Sequence, residues 1–488
     1  MSIHPDWVLA HKRPGTELKR INGRYYLYAV SSKWDKNLKR TRKISGKLLG
    51  SIREDGFQPA GERPPKPSVS LVRRADYSTV AVKEYGVSSL IEQQMQDLVA
   101  KVREYYPEVW QTLLGVVYCR LLSQAPLNQM PVLLAHSHLS VSWPGIPLDD
   151  KQIALCLRDV GRDRHTSLQF MRSFIGQGQH LLFDLTHLNS QSQHMDLAAD
   201  GALGKKGFGS NVGLLYLFSV EKREPVYYRL VPGNIRDVAA LNLSIQESGV
   251  KDAVIITDKG FYSAANANMF QKAGLRFIAP LKRDNKLIEP QKLAEDTLKV
   301  AENYFSFEGR IIWHSTPTTD PNGRTLFLFV DSALKTQEEK DYLSRVADKK
   351  NKYNAQNFHK KRPFFGLIAL TTNIPNPKPQ DIYLSYKNRN NVEVMFDMLK
   401  NVLEADKSHM QNDETFNGWM FANHLALIIC YRLFQLLQKH QVLSKLSVQA
   451  LIMQLSLVKK VKIDNQWVSA EIIKKSADIF RKLEIPVT

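Results

Sequence analysis

Cysteine is scarce in this sequence of 488 residues. The three cysteines, Cys119, Cys156 and Cys430, are far apart and form no CxxC pair, and the 13 histidines show no metal-ligand spacing. We therefore expect neither a disulfide framework nor a cysteine zinc site. This cysteine usage is typical of a reducing compartment, so the composition predicts a cytoplasmic location.

Long hydrophobic runs are also missing. The first residues, MSIHPDWVLAHKR, contain no apolar signal core. The most apolar stretch, residues 425–437, is interrupted by Arg432 and is shorter than the roughly 20 residues that cross a bilayer. This stretch predicts a buried helix, and no membrane partner is expected.

Acidic residues are fewer than basic residues in this sequence. Lys and Arg number 67 against 48 Asp and Glu, which gives a net charge of +19 and a pI near 9.6. The excess of positive charge favours a polyanionic partner. The hydrophobic content of 43% and the charged content of 24% are ordinary for globular protein, and the length predicts about three domains.

Positive charge is concentrated near the N-terminus. Residues 11–53 contain 13 Lys and Arg but only two acids, Glu17 and Asp35. Asn22-Gly23 is a hairpin signal, and the residues after it are typical of a strand. We interpret residues 1–57 as a small basic β module that contacts DNA; the alternative is a solvated β module with aromatic core residues. The residues assigned to DNA contact are Arg24, Lys39, Arg40, Arg42 and Lys43.

Shifts in composition divide the rest of the chain. A proline-rich linker is predicted at residues 58–79 and a helical domain at residues 80–175. From about residue 180, three strand patterns are followed by alternating helix and strand, which indicates a mixed α/β core. The remaining assignments are the core at 176–285 and 383–440, a β-rich insertion at 286–382, and a helical C-terminal region at 441–488.

Two carboxylates follow apolar strand patterns. Asp184 is predicted to end one strand and Asp258 to end another. If these strands are neighbours, the carboxylates converge, and Glu393 on a later helix completes a site with oxygen ligands only. Such ligands suit Mg²⁺ or Mn²⁺, and two ions would support in-line displacement at a phosphodiester. Asp252 and Asp237 are competing carboxylates, and an Asp at a strand end is commonly a turn or cap residue.

A single helical stripe is predicted around Glu393. In Tyr386-x2-Arg389-x3-Glu393-x6-Lys400, the spacing brings all four residues within about 60° of one another on an α-helix. The phenol, guanidinium and ammonium can bind phosphate oxygens, while the carboxylate can bind a divalent metal. The alternative is an ordinary surface helix with an Arg/Glu pair at i, i+4.

This pattern resembles the Tyr-Arg-Glu-Lys (YREK) signature of bacterial insertion-sequence DDE transposases, which are cut-and-paste enzymes. Asp258-Lys259-Gly260-Phe261-Tyr262 is similar to the second-acid motif of that family. The resemblance implies a ribonuclease-H-like core with a β-rich insertion, in an α/β fold. It also implies the following roles: catalytic and metal-binding acids Asp184, Asp258 and Glu393; DNA contacts Tyr386, Arg389 and Lys400. Lys259, next to the second acid, is assigned to DNA contact as well.

The resemblance carries a function as well. A member of this family binds the terminal inverted repeats of its element, nicks the DNA with water, and transfers the freed 3′-OH to target DNA. It uses Mg²⁺ or Mn²⁺, with two ions expected and no organic cofactor, and it acts as a homodimer in a synaptic complex at the bacterial nucleoid. The alternatives are another ribonuclease-H-like nuclease and a non-catalytic DNA-binding protein derived from a transposase.

Overall fold

Two compact units make up the chain, residues 1–79 and residues 80–488. The residues described by the computed structural model are 4–35, 39–61, 80–123, 125–190, 192–202, 208–235, 237–293, 295–348, 352–408 and 410–487. Of the linker predicted at residues 58–79, residues 62–79 lie outside the described residues, whereas residues 58 and 59 lie in a strand.

The first unit is a four-stranded antiparallel sheet with one short helix. Its strands run in the order β1-β2-β3-β4. The predicted turn at Asn22-Gly23 joins β1 to β2, and both residues have positive φ. Val8, Leu27 and Ile52 form a small buried core. The elements are α1 (Asp6–Leu9), β1 (Thr16–Ile21), β2 (Arg24–Asp35), β3 (Arg40–Arg53) and β4 (Gly56–Pro59).

The second unit begins with a mostly helical region. After strand β5 (Ala81–Glu84) come α2 (Gly86–Ser89), a π-helical turn (Leu90–Gln94), α3 (Gln96–Tyr105), α4 (Trp110–Leu122), a 3₁₀ turn (Leu127–Gln129), α5 (Met130–His136), α6 (Leu139–Ser142), α7 (Asp150–Arg162) and α8 (Arg164–Arg172). Helix α7 is capped by the Asp149 side chain, which accepts a hydrogen bond from the Lys151 amide at 3.0 Å. These helices share one apolar core with the sheet that follows.

A 12-stranded mixed sheet forms the centre of the second unit. Its path is β12-β13-β15-β16-β11-β10-β6-β8-β7, with β9 on β8, β14 on β15 and β17 on β6. The first strands and helices of this region are β6 (His180–Ser190), β7 (Ala199–Ala202), β8 (Phe208–Ser219), β9 (Glu224–Pro232), α9 (Asp237–Ser248), β10 (Val254–Ile256), α10 (Ala264–Lys272) and β11 (Arg276–Pro280).

Residues 286–382 extend this same sheet. Strand β16 pairs antiparallel with β11, so the strands of the predicted insertion continue the sheet beyond the core. The elements are a 3₁₀ turn (Pro290–Leu293), α11 (Glu295–Leu298), β12 (Tyr304–Phe307), β13 (Arg310–His314), β14 (Thr318–Thr319), β15 (Thr325–Asp331), α12 (Ser332–Ala347), α13 (Ala355–Lys361), a 3₁₀ turn (Arg362–Phe364), β16 (Leu367–Thr372) and the beginning of α14 (Pro379–Lys387).

The last part of the chain returns to the helical region. It contains α15 (Asn390–Asp397), a π-helical turn (Met398–Val402), β17 (Lys407–Ser408), α16 (Asp413–Lys439), α17 (Val448–Ser456), β18 (Lys459–Ile463), β19 (Gln466–Ser469) and α18 (Lys474–Lys482). The sequence predicted only helices after residue 441. Strands β18 and β19 form a sheet with β5 near the start of the unit, and such long-range pairing leaves no local signal.

Helix α16 is the longest helix among the described residues, with 27 residues. By length and composition it could cross a membrane, but 78% of its most apolar window is buried inside the protein. Gly161 of α7 and Gly418 of α16 explain how close these two helices lie. A Cβ at Gly418 would be 1.8 Å from the Leu157 carbonyl oxygen, so a side chain there would push the helices apart. The apolar run at 425–437 is thus a buried helix, as predicted.

Candidate active site

A gap between strands positions the first acid, Asp184. Strand β6 pairs with β8 along nearly its whole length, but on its other side β10 pairs only with residues 180–182. The next neighbour on that side, β17, pairs with residues 189 and 190. Asp184 therefore lies in the middle of β6, and not at its end as predicted. It lies where the adjoining strand has stopped, which leaves room for other groups to approach its carboxylate.

Asp184 is mostly buried, with its side chain 17% exposed. Its Oδ1 accepts a hydrogen bond from the Leu185 amide at 2.9 Å. Burial raises the pKa of Asp184 to about 6, although the Arg389 guanidinium opposes the shift. With a pKa of about 6 the carboxyl group is mostly ionised at neutral pH, and the Arg389 guanidinium favours that charged form.

Asp258 follows β10, the parallel neighbour of β6. Register pairs Ile256 with Leu182, so Asp258 comes level with Asp184 across the gap, as predicted for neighbouring strands. The loop after β10 is held on β6 by an edge-to-face contact between Phe261 and Phe183, with ring centroids 4.8 Å apart. The Asp258 side chain is 36% exposed and accepts a hydrogen bond from the Lys259 amide at 2.5 Å.

Glu393 lies in the first turn of α15 and is 65% exposed. The buried side chains of Val392, Met395 and Phe396 fix this helix against the core. The carboxylate therefore projects from a rigid element toward the gap beside β6.

One guanidinium brings the three acids together. Arg389 Nη1 lies 3.1 Å from Asp258 Oδ1 and 4.0 Å from Glu393 Oε1, and Arg389 Nη2 lies 3.7 Å from Asp184 Oδ2. The Arg389 side chain is only 20% exposed. Burial lowers the pKa of Arg389, but the negative charges of Asp258 and Asp184 outweigh this effect, so the pKa of Arg389 is raised overall. Arg389 is therefore a fixed positive charge among three carboxylates.

The four residues of the stripe do not lie on one regular helix. Tyr386 is near the end of α14, Arg389 lies between α14 and α15, and Lys400 is in the π-helical turn after α15. The break turns Arg389 inward among the acids. Lys400 Nζ donates to Thr186 Oγ1 at 2.5 Å, so Lys400 reaches the same strand as Asp184, two residues further on. Burial raises the pKa of Tyr386.

A cavity of about 240 Å³ adjoins Arg389. Four cationic side chains line it, with Glu338 the single carboxylate, and Glu338 is already bound to Arg283 at 2.9 Å. The cavity lies between the predicted core and the insertion. Its lining residues are Lys259, Pro280, Leu281, Arg283, Leu334, Glu338, Leu367, Ile368, Ala369, Tyr386, Lys387, Arg389 and Asn390.

The sequence missed three polar residues that lie near Asp184 or line the adjoining cavity. Thr186 could have been found, because it is two residues from Asp184 and strand alternation places both on one face. Lys387 directly follows Tyr386, but helix periodicity turns consecutive residues apart. Arg283 gave no signal, because it reaches the cavity only through the pairing of β11 with β16.

The competing carboxylate Asp252 lies elsewhere. It forms a salt bridge with Arg276 at 2.7 Å and is 67% exposed. The predicted N-terminal contacts all belong to the first unit, on the hairpin formed by β2 and β3. Those residues are Arg24, Lys39, Arg40, Arg42 and Lys43, and all are exposed.

The three acids have the donor chemistry of a site for a hard divalent cation, but in the described part of the chain they do not have the mutual distances of one. Three carboxylates from β6, the loop after β10 and α15 supply only oxygen atoms, which Mg²⁺ and Mn²⁺ prefer. Within the described ranges, no three His, Cys, Asp or Glu side chains are close enough to one another to hold a metal ion. Arg389 lies within 4.0 Å of each of the three acids and supplies the positive charge among them.

Comparison with known families bears on this arrangement. Residues 176–429 match the family described as "Transposase DDE domain". The chain belongs to this family. The match covers just over half of the sequence and includes Asp184, Asp258 and Glu393. Membership in the transposase DDE domain family implies an enzyme of transposition, which confirms the predicted DDE transposase at the level of the family.

Two further comparisons add little. No curated protein matches the chain. Among solved structures, the chain is similar to the piggyBac transposase in a synaptic complex with hairpin DNA, determined by cryo-EM. The sequences are 13% identical, the TM-score is 0.37, and the match covers 71% of this chain and 70% of that chain. A likeness at this level carries no argument about the chemistry of the transposase DDE domain described here.

Proposed function

We propose that the protein is a metal-dependent DNA transposase that binds the terminal inverted repeats of an insertion sequence. It nicks DNA with water to free a 3′-OH, which then attacks target DNA. One observation carries this proposal: Asp184, Asp258 and Glu393, from three separate elements, all lie within 4.0 Å of a single guanidinium beside a gap in the sheet. Family membership supports the same conclusion.

The order of the central strands supports a ribonuclease-H-like core. Strands β9, β8 and β6 are antiparallel neighbours, and β10 and β11 then follow in parallel pairing. In this arrangement one acid lies on β6, the second follows its parallel neighbour β10, and the third comes from a helix after the insertion. The insertion proposed at 286–382 would lie between the core strands and the helix that carries Glu393, although its predicted end falls within α14.

Asp184, Asp258 and Glu393 would hold the metal ions, with Mg²⁺ or Mn²⁺ as the proposed cofactor. When bound, two such ions would activate the attacking oxygen and stabilise the leaving oxygen. Residues of the chain would also bind the DNA backbone. Arg389, Lys400, Lys259 and Tyr386 would bind phosphate oxygens, since they surround the acids or line the adjoining cavity.

For the first unit we propose DNA binding, because its strands β2 and β3 carry a dense set of exposed basic residues. Synapsis of two element ends would require two copies of the chain, so a homodimer is part of the proposal. The basic net charge of +19 would favour both contacts.

Cleavage of DNA that carries an element end tests the proposal. The full chain should nick the transferred strand at the repeat boundary when Mg²⁺ or Mn²⁺ is supplied, and the nick should disappear with a chelator. Joining of the freed 3′-OH to a second duplex would separate a transposase from another ribonuclease-H-like nuclease. Repeat binding without any nicking would indicate a non-catalytic DNA-binding protein instead.

A further inference from the structure

The far end of the β2–β3 hairpin has no neighbouring strand. Strand β1 pairs only with residues 24–29 of β2, and β4 pairs only with residues 50–53 of β3. Residues 31–35 and 40–44 pair only with each other among the described residues. We call these ten residues the distal ribbon. At about 3.4 Å per residue, it extends roughly 17 Å beyond the part of the sheet that β1 covers.

The distal ribbon is exposed on both faces. All but one of its residues are exposed, including Trp34 at 59% and Ile44 at 43%. A two-stranded ribbon without a core behind it is at best marginally stable by itself. The exposed side chains of the distal ribbon therefore gain little from packing within the first unit.

Cross-strand register divides the charges between the two faces. Lys33 lies opposite Arg42, and Asp35 lies opposite Arg40, so these four share one face. Lys33, Arg40 and Arg42 form no salt bridge with any residue in the described part of the chain. With Asp35 counted, this face still carries a net charge of about +2 by formal charges. We call it the basic face.

The opposite face is different. Trp34 lies opposite Thr41, and Ser32 lies opposite Lys43. The Lys43 ammonium is 3.0 Å from Glu17, and this hydrogen bond lowers the pKa of Glu17. Lys43 is thus already ion-paired within the unit, whereas Lys33, Arg40 and Arg42 form no salt bridge in the described part of the chain.

We propose that the distal ribbon enters the major groove of duplex DNA with its basic face inward. This inference rests on the proposed function, because it names which part of the first unit binds the element's DNA. A two-stranded β-ribbon fits a major groove about 12 Å wide. Lys33 and Arg42 lie side by side and can reach phosphates or guanine edges, since both are long cationic donors. Trp34 faces away from the DNA.

Salt dependence of binding tests the proposal in the full chain, with a mixed-sequence duplex as the probe. Each phosphate contact contributes about 0.9 to the slope of log K against log salt, so Lys33→Ala/Arg42→Ala should reduce the slope by about 2. Arg20→Ala/Arg53→Ala removes the same charge at the other end of the sheet and should reduce the slope far less. Trp34→Ala should leave the slope unchanged. Equal effects of the two double variants, or no effect of either, would overturn the proposal.

Chemical footprinting identifies the groove. Dimethyl sulfate methylates guanine N7 in the major groove and adenine N3 in the minor groove. The wild-type chain should protect guanine N7, and Lys33→Ala/Arg42→Ala should lose this protection; protection of adenine N3 alone would overturn the major-groove assignment. Asp184→Asn should keep the footprint. A chain that keeps the ribbon-dependent footprint but never nicks DNA would refute the proposed catalytic function and leave this inference standing.

Discussion

Arg389 Nη1 lies 3.1 Å from Asp258 Oδ1, and the same guanidinium lies within 4.0 Å of Asp184 and Glu393. One side chain therefore balances the charge of three acids that are proposed to bind metal. Divalent ions and Arg389 would compete for the same carboxylate oxygens, because both are cations. A phosphate group of DNA would offer Arg389 another partner. This contact connects metal binding to DNA binding through one residue.

Loss of any acid should remove catalysis but not DNA binding. For Asp184→Asn, Asp258→Asn and Glu393→Gln, we expect metal-dependent cleavage of element-end DNA to fall by about 10³-fold or more, because metal ligation supplies several kcal/mol of transition-state stabilisation. Binding in mobility-shift assays should persist, since most contacts to DNA are to phosphates through basic residues. Asp252→Asn, whose carboxylate pairs with Arg276, is the matched control. Cleavage near the wild-type rate would remove that acid from the site.

Removal of Arg389 should strengthen metal binding and weaken cleavage. In Arg389→Gln the three carboxylates lose their shared positive charge, so Mn²⁺ should bind at least about tenfold more tightly in titration calorimetry without DNA. Cleavage should fall by about 10²-fold, because a donor to the phosphate is lost. Without metal, the variant should unfold at a lower temperature, and Mn²⁺ should restore part of the loss.

The control for Arg389 is another arginine in an Arg–Asp pair. Arg276→Gln breaks a 2.7 Å contact with an exposed Asp252, and exposed pairs contribute little to stability. This variant should leave both Mn²⁺ affinity and cleavage unchanged. Unchanged Mn²⁺ affinity in Arg389→Gln would show that the guanidinium does not compete with metal.

The sequence indicated the strand that carries Asp184 and the strand before Asp258 because apolar strand patterns are local signals, whereas the catalytic role of these acids stays a prediction. Asp184 and Asp258 follow apolar strand patterns, and the pairing of β6 with β10 that their convergence required is present. The position of Asp184 within its strand was wrong, because the end of an apolar run does not mark the end of backbone pairing. The contact of Arg389 with the acids could not be predicted, since it depends on the break between α14 and α15 and on a buried rotamer.

Lys400 should contribute one phosphate contact. Its ammonium is 2.5 Å from Thr186 Oγ1 on the strand that carries Asp184. Lys400→Ala should lower the salt slope of element-end binding by about 1 and slow cleavage by about 10-fold to 100-fold. Thr186→Val should slow cleavage less than Lys400→Ala and keep the salt slope. This variant retains the Lys400 charge but removes the hydroxyl group to which the Lys400 ammonium donates. An unchanged slope in Lys400→Ala would indicate that this lysine only supports the fold.

His424 should make the second unit sensitive to acid. It is fully buried beside Tyr216 and Tyr228, and neither ring nitrogen has a hydrogen-bond partner in the described part of the chain. Burial, reinforced by Arg164, lowers the pKa of His424 from 6.5 to about 3. Below about pH 6.5, His424 is therefore protonated in the unfolded chain but not in the folded chain. The free energy of unfolding falls as pH is lowered from about 6.5 toward 3.

Denaturation at two pH values measures this effect. Between pH 7 and pH 5, the His424 contribution should lower the free energy of unfolding by about 2 kcal/mol. His424→Phe keeps an aromatic ring but cannot titrate, so the difference between the two pH values should shrink by that amount. His165→Gln, at an exposed position, is the control and should keep the wild-type difference. An equal pH dependence in wild type and His424→Phe would contradict the assignment.

Deletion of the first unit should separate DNA binding from stability. Residues 1–79 form a compact unit with its own small core of Val8, Leu27 and Ile52, while the second unit has its own cores. A chain lacking residues 1–79 should therefore keep the thermal midpoint of the second unit within about 2 °C, since few packing contacts cross such a boundary. Its affinity for repeat DNA should fall by about 10²-fold or more, and its salt slope should fall as well, because the densest set of exposed basic residues is gone.

Mobility shifts with matched repeat and scrambled duplexes measure both affinity and preference. Full affinity and preference in the truncated chain would instead place repeat recognition in residues 80–488.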